Sequence, residues 1–288
     1  METNRPKRYD VAPLPRSRQT IVDLLKHVAG DTEECQMYAD IEMTWVNALR
    51  KRLKAQGQNA TVTAILLKAI AVAQTLHPES RTEMLPFGRQ VTYNEIVAGF
   101  TLERVIDGQP TVFLGEIEKP LEKSLEEIGA HLKDHVDKPV NEVPPLFLQS
   151  IHSYLPGFIR WTIMEVGKRF PFLRLKCQKA TFGLTSVGKW GVSSHTCPCL
   201  CACSISVGGV EDRAVVRNGE IVVRSMMTIG LNYDHRAIDS PTGARFVQSI
   251  VRLMEGDLEG WLAECGDETS AAQSASRTGG RRSLIESA

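Results

Sequence analysis

The chain has 288 residues, 42% of them hydrophobic and 24% charged, a profile that fits one large globular domain with tails and excludes collagenous, coiled-coil and wholly disordered classes. Lys plus Arg number 34 and Asp plus Glu number 34, so no net field draws the chain to nucleic acid or an anionic membrane, and a small-molecule partner suits the balance better. The most apolar stretch, Thr63 to Leu76, is cut by Lys68 and Gln74 and is shorter than the roughly 20 apolar residues that span a bilayer.

The N-terminus has basic residues but neither the apolar core nor the cleavage site of a secretory signal, which points to a cytoplasmic protein. Its 7 cysteines are an odd number, and four of them crowd between Cys197 and Cys203, so free thiols are expected rather than a disulfide framework.

Ile21, Leu24, Leu25 and Val28 recur at helical spacing, predicting a helix over Arg16 to Ala29 that stops at Gly30. Strict alternation from Glu34 to Met43 predicts a half-buried strand, after which Thr44 reads as the N-cap of a helix running to Gly57. A far more apolar helix follows from Thr61 to Leu76. Residues 90 to 118 read as two or three strands broken at Asp107-Gly108, and Leu121 to Val136 as the next helix.

The proline-rich run from Lys138 to Pro145 is a connection, and Leu146 to Phe170 is helical but must kink or split at Pro156-Gly157. Strands are predicted at Phe182–Val187, Ser204–Val210, Arg213–Arg217 and Glu220–Tyr233, the last two joined by Asn218-Gly219, a strong hairpin signal. Pro241 opens a final helix to Met254. Helices interspersed with strands, one pair of which must be antiparallel, predict a layered α/β domain with a mixed sheet.

Chemistry concentrates where the last strand runs into a charged loop and a helix, from Asn232 to Phe246. An imidazole ordinarily titrates near neutrality, so His235 suits a general base, and Asp239 is placed to anchor the loop. By itself such a histidine is more often structural than catalytic.

Tyr233-Asp-His-Arg-Ala-Ile-Asp239 closely resembles the DHRxxDG signature of the catalytic domain of dihydrolipoyl acyltransferases, core components of 2-oxoacid dehydrogenase complexes, and more distantly the HxxxD of chloramphenicol acetyltransferase. Three further stretches match in order. Pro13-Leu-Pro-Arg-Ser-Arg-Gln-Thr-Ile21 resembles PLSxxRKxI, Thr181-Phe-Gly-Leu-Thr-Ser-Val-Gly188 resembles TFTISNLG, and Ile229 to Arg236 with Ala244-Arg-Phe246 resembles LTLSYDHR and AARF.

The resemblance implies an α/β, chloramphenicol acetyltransferase-like two-layer domain with a mixed sheet over residues 13–264, preceded by an arm (1–12) and followed by a disordered tail (265–288). It implies a CoA-dependent acyltransferase in which His235 takes the proton from the attacking thiol or hydroxyl, without an acyl-enzyme. Thr185 stands where the family has an oxyanion-donating serine; one such donor is worth about 3 to 4 kcal/mol in comparable sites. Ser186 is the neighbouring alternative, and Asp234 and Arg236 are secondary candidates beside the histidine. Asp239 with Arg18 corresponds to a buried ion pair that holds the loop. The His and the hydroxyl come from different subunits of a homotrimer, placing the active site at the subunit interface.

The departures are specific. Ser240 replaces the motif's final glycine, GLxxPV has no counterpart, and no lipoyl domain, subunit-binding domain or Ala/Pro linker fits within this sequence. A member that uses acetyl-CoA and a small hydroxyl acceptor is therefore expected, resembling the acetyltransferases of tetronate natural-product pathways. The alternatives are a dihydrolipoamide acyltransferase core and a non-catalytic trimeric scaffold.

Other features favour plain readings, and no metal site is expected. The Cys197 to Cys203 run has period-two spacing that would set its thiols on one face, but small buried hydrophobes explain it better. His131 and His135, four apart, read as a solvated helix face rather than a metal pair. Tyr154, Phe158, Trp161, Phe170 and Phe172 suit either a substrate channel or core packing.

Overall fold

The alternating segments pair side by side in the computed structural model, which describes residues 14–29, 32–106, 108–177 and 179–264. In chain order the strands are β1 (Glu34–Glu42), β2 (Thr82–Leu85), β3 (Arg89–Thr92), β4 (Val97–Ile106), β5 (Gln109–Glu118), β6 (Phe182–Ser186), β7 (Cys203–Arg217) and β8 (Glu220–Asp234). Six of them form one mixed sheet in the order β1-β8-β7-β6-β4-β5, while β2 and β3 make a separate ribbon. β6 lies parallel to both β4 and β7, and the other pairings are antiparallel, so the α/β mixed-sheet class is observed.

The helices are α1 (Arg16–Ala29), α2 (Thr44–Ala55), α3 (Val62–Leu76), α4 (Leu125–Asp137), α5 (Pro144–Tyr154), α6 (Gly157–Arg169), α7 (Pro171–Cys177), α8 (Ser240–Arg252) and α9 (Glu259–Glu264). α3 is the centre of the core. Thr61 caps it by accepting from Ala64 N, and every residue from Ala64 to Gln74 is buried. Such all-round burial is tolerable because its two polar side chains are satisfied. Lys68 Nζ donates to the carbonyls of Leu121 and Lys123, and Gln74 bonds Ser80 O and the Thr181 hydroxyl. Phe182 and Leu184 of β6, Ile205 of β7, Ile229 and Leu231 of β8 and Phe246 and Ile250 of α8 close the same core.

Strand alternation turns Thr185, Ser206 and Gly230, which stand in register across β6, β7 and β8, to the opposite face. The segment between β6 and β7 crosses that face. A Cβ on Gly208 would lie 1.9 Å from Ser193 O, so only glycine permits this approach. At the far edge, α5 shields β5: Gln149 Oε1 accepts from Leu114 N (3.0 Å) and its Nε2 donates to Val112 O (3.1 Å), closing an otherwise open edge strand. α1 packs on α5 and α6, with Arg160 Nε donating to Asp23 at 2.6 Å.

Several expectations are corrected. Met43, not Thr44, occupies the N-cap of α2, and the Thr44 hydroxyl turns back to Glu42 (2.8 Å). α4 starts at Leu125 because Ser124 and Glu127 form a capping box. β7 is a single strand that passes 210–213 through an irregularity between Val207 and Val210. The split at Pro156 is observed, and a further helix, α7, follows Pro171. Asn218 (φ 53°) and Gly219 (φ 85°) form the predicted β7–β8 turn. Gly30, the 1–12 arm and the 265–288 tail lie outside the described residues.

Candidate active site

β8 delivers Asp234 to the end of the sheet opposite Glu34 of β1, and the chain then turns. His235 N donates to Glu33 O (2.8 Å), and the N–H groups of Ala237 and Ile238 donate to Asp234 O, fixing the loop by its backbone. The imidazole itself is exposed, with Nε2 3.3 Å from the Ser240 hydroxyl and its ring centroid 6.1 Å from that of Tyr233. Such a ring is free to meet a ligand from outside its own chain.

Asp234 points inward instead. It accepts from Arg236 Nη2 (2.6 Å), Nε (2.9 Å) and N (3.0 Å). Burial raises its carboxyl, but the hydrogen bonds and charge of Arg236 outweigh that and leave it below the ordinary carboxylate range. Asp239 sits at the N-cap of α8 and accepts from Thr242 N at 2.9 Å; the Thr242 bonds hold its carboxyl below the usual value.

Asp239 and Arg18 are both exposed, and no bond joins them among the described residues. The physical reason is that the carboxylate is already committed to the helix terminus, while α1 packs on α5 and α6 through Asp23 and Thr20.

Thr185 is half-buried on β6, and its hydroxyl accepts from Thr101 Oγ1 at 3.3 Å; Ser186 is exposed. Thr185 and His235 do not meet within one chain. Register carries Thr185 to Ser206 and Ser206 to Gly230, five residues short of His235. That offset is about 17 Å along the strands and about 10 Å across them, far outside the reach of one thioester carbonyl.

Beside the loop opens a cavity of about 910 Å³ between α1, α5, α6, α7 and the β2 and β5 strands; Asp234 and Arg236 line it, and His235 does not. Its polar groups, Glu83, Tyr93 and Arg174, went unnoticed in the sequence because they are scattered over 91 positions, and no spacing pattern joins them.

The remaining candidates resolve plainly. Cys199, Cys201 and Cys203 are buried free thiols, each raised by burial, Cys201 to about 12. They do not share a face: Cys203 meets Gln74 in the helical core, whereas Cys199 and Cys201 border the cavity. His135 is buried against Phe100 rather than solvated, with Nδ1 2.8 Å from His131 O. Among the described residues no three His, Cys, Asp or Glu side chains gather as a metal cage. Of the five aromatic residues that suit a channel or the core, Phe158 lines the cavity, while Tyr154, Trp161, Phe170 and Phe172 are exposed and belong neither to the core nor to the cavity wall.

Residues 6–98 and 174–263 match the family model for the 2-oxoacid dehydrogenases acyltransferase (catalytic domain). The chain is 34% identical over 99 residues to the dihydrolipoyllysine-residue acetyltransferase component of the pyruvate dehydrogenase complex of Rhizobium meliloti, covering 33% of this chain and 22% of that protein. Against the component of the same name from Mycobacterium bovis it is 25% identical over 261 residues, covering 85% of this chain and 41% of the other. It thus spans well under half the length of these relatives. Among solved structures, the dihydrolipoamide acetyltransferase of Azotobacter vinelandii superposes with a TM-score of 0.69 at 19% identity, covering 88% of this chain and 94% of that one. A truncated 2-oxoacid dehydrogenase catalytic core from Thermoplasma acidophilum gives 0.63 at 18% identity, covering 86% and 99%. The fold is that of these cores.

Proposed function

The chain belongs to the 2-oxoacid dehydrogenase acyltransferase family as a catalytic domain, and from that premise we propose that it moves an acyl group, in the first instance acetyl, from coenzyme A to a hydroxyl of a small acceptor. In this reading His235 Nε2 takes the proton of the acceptor hydroxyl as its oxygen attacks the thioester carbonyl. The tetrahedral oxyanion is held by the Thr185 hydroxyl of a neighbouring subunit, and its collapse expels the CoA thiolate, which recovers the proton from the imidazole. A tetronate-type intermediate is one acceptor of the required kind.

The observation that carries the reading is the presentation of His235: a backbone pinned at Glu33 and Asp234, and a ring left open. Given the register offset between Thr185 and His235, a site that uses both must be completed across subunits, as the proposed homotrimer would do. The Azotobacter structure is described as probing the roles of a serine, a histidine and an asparagine four residues beyond it, the same spacing as His235 and Asp239. Replacing His235 by Ala is expected to lower acyl-CoA turnover about a thousandfold with unchanged assembly and melting temperature. Undiminished turnover would overturn the assignment.

The names of the relatives favour a second reading, transfer to dihydrolipoamide within a 2-oxoacid dehydrogenase core. Acetyl-CoA with free dihydrolipoamide, run beside a panel of alcohols, separates the two by which acceptor releases CoA thiol.

A further inference from the structure

The cavity beside the His235 loop has a composition that the reaction itself does not require. Its volume, about 910 Å³, is at the upper end of the ~300–1,000 Å³ usual for small-molecule sites. Leu148 and Ile151 of α5, Leu155, Ile159 and Ile163 in and before α6, and Leu173 of α7 supply one apolar wall. The family match breaks off at residue 98 and resumes at 174, so this wall comes from the stretch between the matched blocks, whereas Asp234 and Arg236, which flank His235, come from inside one.

The charged groups of the wall are already engaged: Asp234 holds Arg236, and Glu116 accepts from the N–H groups of Lys179 and Ala180. Arg174 pairs with Glu83 Oε2 and donates to Tyr93 OH (2.6 Å), and Tyr93 OH donates to the same Glu83 oxygen (3.1 Å). Guanidinium and carboxylate cancel, so this polar end offers no net charge to an ionic ligand. The other oxygen, Glu83 Oε1, is buried without a hydrogen-bond partner, a costly state unless a donor reaches it. It accepts and cannot donate, which selects a ligand that brings an O–H or N–H.

We infer that this cavity receives the hydrocarbon body of the acceptor, an uncharged molecule whose reacting hydroxyl leaves the cavity past Asp234 and Arg236 toward the outward-facing ring of His235 and whose far end donates a hydrogen bond to Glu83 Oε1. The inference rests on the acyltransferase reading for what the ligand does, but not for whether it binds. Residues 144–173 then set the fit of the hydrocarbon body, while the matched blocks supply the polar end and the chemistry.

Calorimetric titration of the intact protein with octanediol, octanol and butanediol, the diols hydroxylated at both ends, tests this without turnover. Burial of methylenes strengthens binding about fourfold each at full effect, so octanediol is expected to bind at least about tenfold more tightly than butanediol. The second hydroxyl should place octanediol about tenfold above octanol. Ile159→Trp and Met164→Trp fill the cavity and should each weaken octanediol about tenfold with unchanged melting temperature. Should either fold poorly, Ile163→Phe is the milder filling.

Equal binding of octanediol and butanediol, or filled variants that bind as the parent does, would overturn the cavity assignment. Equal binding of octanediol and octanol would overturn the role of Glu83. His235→Ala is expected to bind octanediol normally; full binding with no turnover of any acyl-CoA in the parent protein would sink the acyltransferase reading and leave the cavity standing.

Discussion

Around His235 the chain is held by its own backbone and one charged pair, whereas over residues 144–177 helices α5, α6 and α7 are held by packing and a few isolated side-chain links. The loop has Glu33 O, Asp234 O, the Arg236 fork on Asp234 and the Asp239 cap within eight residues. The helical hood has Gln149 on the β5 edge, Arg160 on Asp23 and Arg174 on Glu83 and Tyr93, each bridging distant parts of the sequence. A dense local network positions a reacting group to a fraction of an ångström, while an apolar wall needs only volume and can be exchanged by changing side chains. One region therefore reads as machinery and the other as a selector.

Variants that touch only one region sharpen that division. The largest effect is expected from Thr185→Val, which keeps the shape and removes the hydroxyl. It should lower kcat about a hundredfold to a thousandfold, with octanediol binding and melting temperature unchanged, and Thr185→Ser should restore turnover. A Val variant that turns over normally removes Thr185 from the chemistry. Next comes Asp234→Ala, which takes the carboxylate from the Arg236 side chain and N–H but keeps the loop's bonds to the main-chain carbonyl at 234. Since Arg236 is 43% exposed, the loss is discounted to about 2 kcal/mol by denaturant unfolding, together with reduced turnover. Smaller again is Gln149→Ala, which strips two hydrogen bonds from the β5 edge. It should cost about 1 to 2 kcal/mol and promote association at high concentration; because Gln149 also lines the acceptor cavity, KM for the acceptor is expected to rise while kcat per folded protomer stays near the parent value. If Gln149→Ala abolished chemistry with folding intact, the two regions would not be separable.

The machinery was the more legible half. Asp234-His235-Arg236 and Asp239 stand within six positions, so motif, loop and helix start are read together, and Asn218-Gly219 announces the β7–β8 hairpin that carries them. The buried Lys68 was visible only as an interruption of an apolar helix, because the carbonyls that satisfy it lie more than 50 positions away. β2 escaped notice since four residues containing Glu83 show little alternation, and α7 since Phe170-Pro171-Phe172 reads as an ending. The hood's helices and their split at Pro156 are legible, but the cavity they enclose is not, for a related reason. Its apolar residues line a cavity on one side and cover the surface on another, so a single amphipathic stripe describes neither.

Acid supplies the smallest and most discriminating test, because each region contains a histidine whose proton affinity burial lowers. His77 Nε2 lies 2.8 Å from the Ser249 hydroxyl and links the turn after α3 to α8; His152 Nδ1 lies 3.3 Å from Thr20 Oγ1 and links α5 to α1. Burial drives both below the ordinary imidazole value of about 6.5, with the charge of Arg160 adding for His152. The unfolded chain therefore binds these protons more readily than the folded one. Their contribution to stability is complete above an unfolded value of about 6.5 and declines as the pH falls through and below it toward the lower folded values. Melting temperature is expected to fall between about pH 6.5 and 5, before carboxylates such as Asp234 titrate. His152→Gln should flatten that decline and leave the pH profile of turnover in place if the hood loosens first under acid. His77→Gln should flatten it if the α3–α8 packing beneath the His235 loop gives way first, and then activity is lost in step with folding. A decline that neither variant alters would assign it to the other histidines whose proton affinity burial lowers, His135 and His195, and would remove acid as a measure of the contrast.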